Sequence, residues 1–207
     1  MLTPYSFMTP IRSYFRKRRF AGFRDRLRDC RTVIDVGGDH SIWTLIGRKE
    51  GITVINIEAP ADRGGFSYLI ADGCDLPFDD HSVDLAFSNS AIEHVGSFEN
   101  QQRFAAELLR VGKAVYCQTP CRMFPIDPHL AAFFLHWLPK SFLTPTFLRY
   151  FTFHGWLLGR PYEYDVTWLS KKQLRQIFPG CSIKIERFFG LPKSFVVTGP
   201  LDVSAVR

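Results

Sequence analysis

The stretch that decides the fold runs T-V-I-D-V-G-G-D-H-S, from Thr32 to Ser41. Val33, Ile34 and Val36 form the short apolar run of a strand buried on both faces, as parallel strands are. Asp35 interrupts that run, and an acid there needs a partner or a ligand. Gly37 and Gly38 follow at once, so the chain can turn sharply and bring its backbone close to another molecule. Beyond them Ile42, Trp43, Leu45 and Ile46 recur at helical spacing, with Asp39 or Ser41 available as N-cap. Strand, glycine turn and helix N-terminus together open a nucleotide-type site in a doubly wound α/β domain.

Working outward, Thr53 to Ile57 reads as the next strand, with Glu58 at its end. Glu58 lies 23 residues after Asp35, close to the spacing of roughly 20 for a ribose-binding acid. A carboxylate there can accept hydrogen bonds from both ribose hydroxyls; the alternative is an ordinary exposed acid after a strand. Ser67 to Ala71, Val83 to Ser88 and Ala114 to Gln118 read as the third, fourth and fifth strands. Asn89 and Ser90 sit past the carboxyl end of the fourth, where open α/β sheets place their ligands. Ser97 suits an N-cap for a helix from Phe98 to Val111, with Gly112 as its stop. Ser170 caps a short helix to Phe178, and Ser182 to Phe188 and Ser194 to Thr198 give two closing strands. The turn itself lacks G-x-G-x-x-G, which argues against a dinucleotide dehydrogenase.

Five blocks now stand in order along most of the chain: V-I-D-V-G-G, V-I-N-I-E, A-D-G-C-D-L-P-F, V-D-L-A-F-S-N-S-A-I-E-H-V and R-V-G-K-A-V-Y-C-Q-T-P. In that order and spacing the sequence resembles the class I S-adenosylmethionine (SAM)-dependent methyltransferases, specifically the small bacterial methyltransferase-11-like type with a D-V-G-G first motif. The resemblance implies an α/β fold with a doubly wound, Rossmann-like seven-stranded sheet, mostly parallel with an antiparallel C-terminal strand. It implies SAM as cofactor, bound by Asp35, Gly37, Gly38, Glu58, Asp72, Gly73, Cys74, Asn89 and Ser90. Asp72 would accept a hydrogen bond from the adenine amino group, and the backbone amide of Gly73 or Cys74 would reach a ring nitrogen. The chain departs from a commoner form of the first motif by carrying Asp39 and Ser41 where glycines stand. Asp39 would repel the carboxylate of SAM unless it turns away to cap the helix.

At 207 residues the chain is expected to form a single domain over 1–207. It contains no uninterrupted apolar run of the length that spans a bilayer, and no secretory signal pattern at its start. Five cysteines without C-x-x-C spacing argue against a disulfide framework or a zinc site. Reduced thiols, a cytoplasmic location and no metal are the expectations. Positive charge is concentrated in an arm over residues 1–31. From Ile11 to Arg31 nine basic residues face only Asp25 and Asp29, an excess above the net +6 of the whole chain. A basic amphipathic helix over Ile11 to Asp29 invites a membrane-surface or nucleic-acid reading; the plainer one is a helix packed on the domain with its arginines in water.

The segment 121–164, crowded with Phe, Trp, Leu and Pro, is long enough to act as a lid or substrate pocket. Helices are expected over Leu130 to Leu138, ended by Pro139, and over Phe142 to Leu158, interrupted by Pro145. Its F-P-I-D-P-H block and following W-L-P also resemble the family type. Methyl transfer needs a base only where the acceptor must lose a proton. His129, in this segment, is the leading candidate. His94 is the second, because the residues after the fourth strand face the methyl group in the family. His136 and His154, among apolar aromatics, read as structural. The expected function is methyl transfer to a small-molecule, lipid or glycan-type acceptor, with peripheral membrane contact through the basic helix as an added role. The alternatives are an RNA methyltransferase, favoured only by the basic arm, and a catalytically inactive methyltransferase-like module that binds a partner or a membrane.

Overall fold

The computed structural model describes residues 27, 29–58, 60–127, 129–130, 132–152 and 164–199. The basic helix expected over Ile11 to Asp29 falls almost wholly outside them, as does His154. Seven strands form one sheet in the order β3-β2-β1-β4-β5-β9-β8. They are β1 (Val33–Val36), β2 (Ile52–Asn56), β3 (Ser67–Ile70), β4 (Val83–Asn89), β5 (Gly112–Pro120), β8 (Ser182–Phe188) and β9 (Leu191–Gly199). β1 to β5 pair in parallel, while β9 runs antiparallel to both of its neighbours. The expected sheet is therefore present, including its one reversed strand.

Alternation along these strands feeds two cores, one on each face of the sheet. Ile34, Val36 and Ile55 join Phe104, Ala105 and Leu108 of α2 (Phe98–Val111) in the first. Val33, Ile52 and Val54 join Ile42, Trp43 and Ile46 of α1 (Ser41–Ile46) in the second. α2 starts where expected, because the Ser97 side chain accepts the Asn100 amide. α4 (Lys171–Ile177) follows a full capping box between Ser170 and Gln173. All five cysteines are free thiols. No helix among the described residues is long and apolar enough to cross a membrane.

Four local expectations are corrected. The N-cap of α1 is His40, not Asp39 or Ser41; Asp39 instead accepts the Ser41 amide at 2.6 Å. Gly112 does not stop α2 in a left-handed turn but begins β5 at φ −87°. Glycine is needed there for closeness, since a Cβ would lie 2.8 Å from that of Ala86. No helix spans Leu130 to Leu138. The short strands β6 (Ile126–Asp127) and β7 (Ala132–Phe133) pair antiparallel and lead into one 3-10 turn at Leu135–Trp137. Finally, Pro145 does not interrupt a helix; it opens α3 (Pro145–Phe151) at the first turn, behind the Thr144 cap. Leu130, Ala132, Leu143 and Leu148 give this region a small core of its own.

Candidate functional site

The strand order reverses at β1, with β2 and β3 on one side and β4 and β5 on the other. Ligands of open α/β sheets bind outside the carboxyl ends of the strands at such a switch point. Eight of the nine expected cofactor residues lie at or past those carboxyl ends, and the ninth, Asp35, lies within β1. Gly37 and Gly38 follow β1, Glu58 follows β2, Asp72, Gly73 and Cys74 follow β3, and Asn89 and Ser90 end or follow β4. A depression of about 430 Å³ lined by Val33, Gly51, Ile52, Phe66 and Val83 lies at the opposite, amino ends of the strands, away from this chemistry.

Asp35 sits beneath the glycine turn, fully buried. One of its carboxylate oxygens accepts the Trp43 indole N–H at 2.7 Å; the other, Oδ1, is buried without a hydrogen-bond partner. Burial pushes its pKa up to about 8, with the Trp43 bond opposing and the nearby Asp39 charge adding to the rise. Both glycines are forced. Gly37 turns at φ +75°, and a Cβ there would lie 2.4 Å from that of Ala91. A Cβ on Gly38 would lie 2.2 Å from the Asp35 carboxylate. The Asn56 side-chain amide donates to the Gly38 carbonyl at 3.1 Å, tying the turn to the end of β2.

Glu58 is exposed two residues beyond β2. Asp72 folds its carboxylate back to accept the Cys74 amide at 2.8 Å. Of the two backbone amides expected to face the adenine, that of Cys74 is thus already engaged. Gly73 is packed tightly enough that a Cβ would lie 2.5 Å from the Phe104 ring. The loop after it is clamped to α2: Arg110 donates to the Leu76 and Phe78 carbonyls, and Glu107 accepts the Leu76 amide. Across the switch point Ser90 adopts φ +58°. It is held there by its amide to the Gln118 carbonyl at 2.8 Å and its hydroxyl to the Gln118 side chain at 3.0 Å.

Beyond Ser90 the structure brings the two expected histidines together. His94 Nε2 and His129 Nε2 are 3.1 Å apart. His129 Nδ1 lies 3.2 Å from Asp127 Oδ1, which also accepts the His129 amide. Asp127 is buried, but hydrogen bonds from His129 and Tyr164 outweigh its desolvation and hold its pKa below the usual range. Burial alone would lower the His129 pKa; the bond and charge of Asp127, with Glu93 and Asp165, raise it instead. His94 Nδ1 faces Asp165 at 3.2 Å.

Sequence reasoning missed the acids around this pair. Glu93 is fully buried, accepts the Thr119 hydroxyl through Oε2 at 2.9 Å, and turns Oε1 toward His129 Nε2 at 3.9 Å. Oε1 has no hydrogen-bond partner. The D-P-H spacing, Asp127 two residues before His129, is the local signal that could have found one of them. His136 is buried, with Nε2 3.0 Å from the Arg122 carbonyl, in keeping with a structural part.

A methyltransferase domain family model matches residues 47–114. An uncharacterized methyltransferase of Mycobacterium sp. (strain KMS) is 35% identical over 89 residues, covering 39% of this chain and 34% of that protein. Over about a third of its length the chain is thus similar to this methyltransferase domain family. An uncharacterized methyltransferase of Mycobacterium marinum is similarly 35% identical over 91 residues, with the same coverage. The chain thus spans about a third of the length of these curated relatives. Among solved structures, a protein from Pyrococcus horikoshii OT3 is superposable with a TM-score of 0.57 at 11% identity, over 93% of this chain and 90% of that one. The N-terminal domain of EvdMO1 with SAH bound gives a TM-score of 0.52 at 15% identity, over 89% and 80%. At such identities these two speak for the fold alone.

Proposed function

We propose that the protein transfers a methyl group from SAM to an acceptor held over the ends of β4 and β5. The observation that carries this reading is the glycine turn over a buried acid at the strand-order switch point, with Glu58 and Asp72 past the two neighbouring strands. The residues fit the cofactor: Asp35 Oδ1 is a buried polar atom without a hydrogen-bond partner, and the turn presents backbone rather than side chains. Asp39, engaged with the Ser41 amide, is turned to the helix as the cofactor's carboxylate requires. Gly37 and Gly38 would carry the amino-acid part of SAM, Glu58 the ribose hydroxyls, and Asp72 with the Gly73 amide the adenine. Asn89 and Ser90 would border the methionine side. When bound, SAM supplies an electrophilic methyl group on a sulfonium.

The chain's part is to align the acceptor for in-line attack and to manage its proton. His129 suits the second task. Its Nδ1–H is committed to Asp127, so Nε2 is left to receive a proton, and His94 stands beside it. A small-molecule, lipid or glycan acceptor with an apolar part is supported by the neighbouring segment, where Phe134, Trp137, Phe142 and Phe151 are exposed. Calorimetry with SAM and SAH on the purified protein tests the reading. Glu58→Ala and Asp72→Ala should each weaken SAM binding tenfold or more, since a hydrogen bond to a charged group is worth roughly 1.5–3 kcal/mol. No binding to the wild type at millimolar ligand would sink the enzyme reading; unchanged affinity in a variant would remove that residue from the site.

A further inference from the structure

The His94–His129 contact has a hydrogen-bonding problem. Each ring points its Nδ1 at a carboxylate, Asp165 for His94 and Asp127 for His129, at 3.2 Å in both cases. A carboxylate accepts only, so both Nδ1 atoms carry the hydrogen, and with both rings neutral both Nε2 atoms present lone pairs. These lone pairs face each other across 3.1 Å. Something positive belongs between them. The third side of the gap is Glu93, fully buried, with Oε1 unpartnered. The three donor atoms lie within 4.8 Å of one another.

We propose that Glu93, His94 and His129 form a binding site for a divalent first-row transition cation of the zinc or iron(II) kind. The spacing supports it. Two nitrogens each about 2.0–2.1 Å from one ion stand roughly 2.9 Å apart at a right angle and roughly 3.3 Å apart at the tetrahedral angle. The observed separation of 3.1 Å falls between. Glu93 Oε1 stands 3.9 Å from His129 Nε2, and the set spans up to 4.8 Å, so a side-chain rotation that carries the carboxylate inward by roughly an ångström completes it. Two histidines and one carboxylate are the ligand set of catalytic zinc and of non-haem iron(II) sites, which leave a position open. His94 is partly exposed, its side chain keeping 34% of its surface, so that open position meets solvent.

The surroundings match what metal-binding histidines need. Each ligand ring donates its other N–H to a carboxylate, which fixes tautomer and orientation. Asp127 is itself held by the Tyr164 hydroxyl at 2.5 Å, and Tyr164 by the Trp168 indole at 3.1 Å. Glu93 is steadied by Thr119 through its second oxygen. Four separate stretches of chain converge on one gap, contrary to the expectation from cysteine spacing that no metal is bound. The inference also deepens the proposed function and rests on it in one respect: the open position would take an acceptor oxygen. A cation there would acidify that oxygen, its proton passing to solvent at the open position while the methyl leaves the sulfonium and SAH is released. In the loaded protein the two histidines then serve as ligands, in place of the base role given to His129 above.

Binding is tested on untagged full-length protein stripped with a chelator, by calorimetry with Zn²⁺ and by visible absorption on titration with Co²⁺. One ion per chain is expected, with affinity reduced at least tenfold in His94→Ala, His129→Ala and Glu93→Gln. Glu93→Gln keeps the shape of a buried side chain, and His94 is at the surface, so loss of folding in His129→Ala does not blunt the test. Asp127→Asn should weaken the ion and change the Co²⁺ spectrum without abolishing binding. Absence of stoichiometric binding overturns the site and leaves a shared proton between the rings. Equal binding by wild type and the His94→Ala, Glu93→Gln double variant overturns it too, by assigning the ion to other histidines. SAM titration on the same samples is an independent readout. Lost cation binding with intact SAM binding removes this inference alone, whereas intact cation binding without SAM binding removes the methyl-transfer reading alone.

Discussion

At Asp35 the physical chemistry pulls two ways. The carboxyl is neutral over a wide range because burial raises its pKa to about 8. Between about 3.9, the value in an unfolded chain, and about 8, the folded state keeps a proton that the unfolded state has released. Stability from this group is therefore complete at low pH and declines as pH rises through that window. Asp35→Asn, which imitates the neutral acid, should be at least as stable as wild type at pH 8 and should lack the decline, yet bind SAM more weakly. Urea titrations at pH 5 and pH 8 check the first part; a parallel decline in the variant would show that another group causes it. His129 belongs to the same scale. His129→Ala should cut turnover by about 100- to 10,000-fold while sparing SAM affinity, because the proposed donor residues lie mostly past β1 to β3 and His129 follows β5. Asn at that position should fail as well, since an amide can neither take the proton nor replace the imidazole. Turnover restored by Asn would reduce His129 to positioning the loop.

At the level of elements, Asp84 joins three strands at the amino end of the sheet. Its carboxylate accepts the Arg31 and Thr32 amides at 2.8 and 3.0 Å and the Lys113 ammonium at 2.9 Å. Burial pushes its pKa up, but the Lys113 bond and the Thr32 and Arg31 amides outweigh that and hold it at about 2. Its contribution is present above about 3.9 and is lost as pH falls through about 2. Asp84→Asn should cost about 1–3 kcal/mol at pH 7 and less at pH 3, measured by urea unfolding. A difference of equal size at both values would mean that the charge is not what ties the strands. Strands and α2 were legible because each carries its own local signal: alternation onto two cores, the Ser97 cap, the glycine turn. The 121–164 segment was not. Its apolar residues follow neither period; Leu130 and Ala132 are buried against Leu143 and Leu148 from a later stretch, and Phe134 turns at φ +63°. Nor does Glu93 look like anything but a helix-start acid until Thr119 and His129 arrive from β5 and beyond.

For the whole molecule, the proposed SAM residues lie mostly past β1–β3, with Asn89 and Ser90 at the end of β4, and the histidine cluster lies beyond β4 and β5. The exposed aromatics lie with the second group. Replacing Phe134 and Phe142 by serine should raise the KM for an acceptor bearing an apolar tail several-fold and leave SAM affinity alone, as followed with labelled SAM. An unchanged KM would take the apolar tail out of the acceptor. The same architecture constrains how the chain is made. β9 is inserted between β5 and β8, so the outer edge of β5, nine residues long, has no neighbour until residues 191–199 exist. Roughly 70 residues separate the end of β5 from the start of β9, which at about 5–20 residues per second is several seconds of synthesis. During that interval a nascent chain presents an unpaired edge backed by buried apolar side chains, the kind of surface that pairs with whatever strand it meets. Translation speed across 121–190, and chaperone occupancy there, would therefore govern yield even though neither touches the finished site.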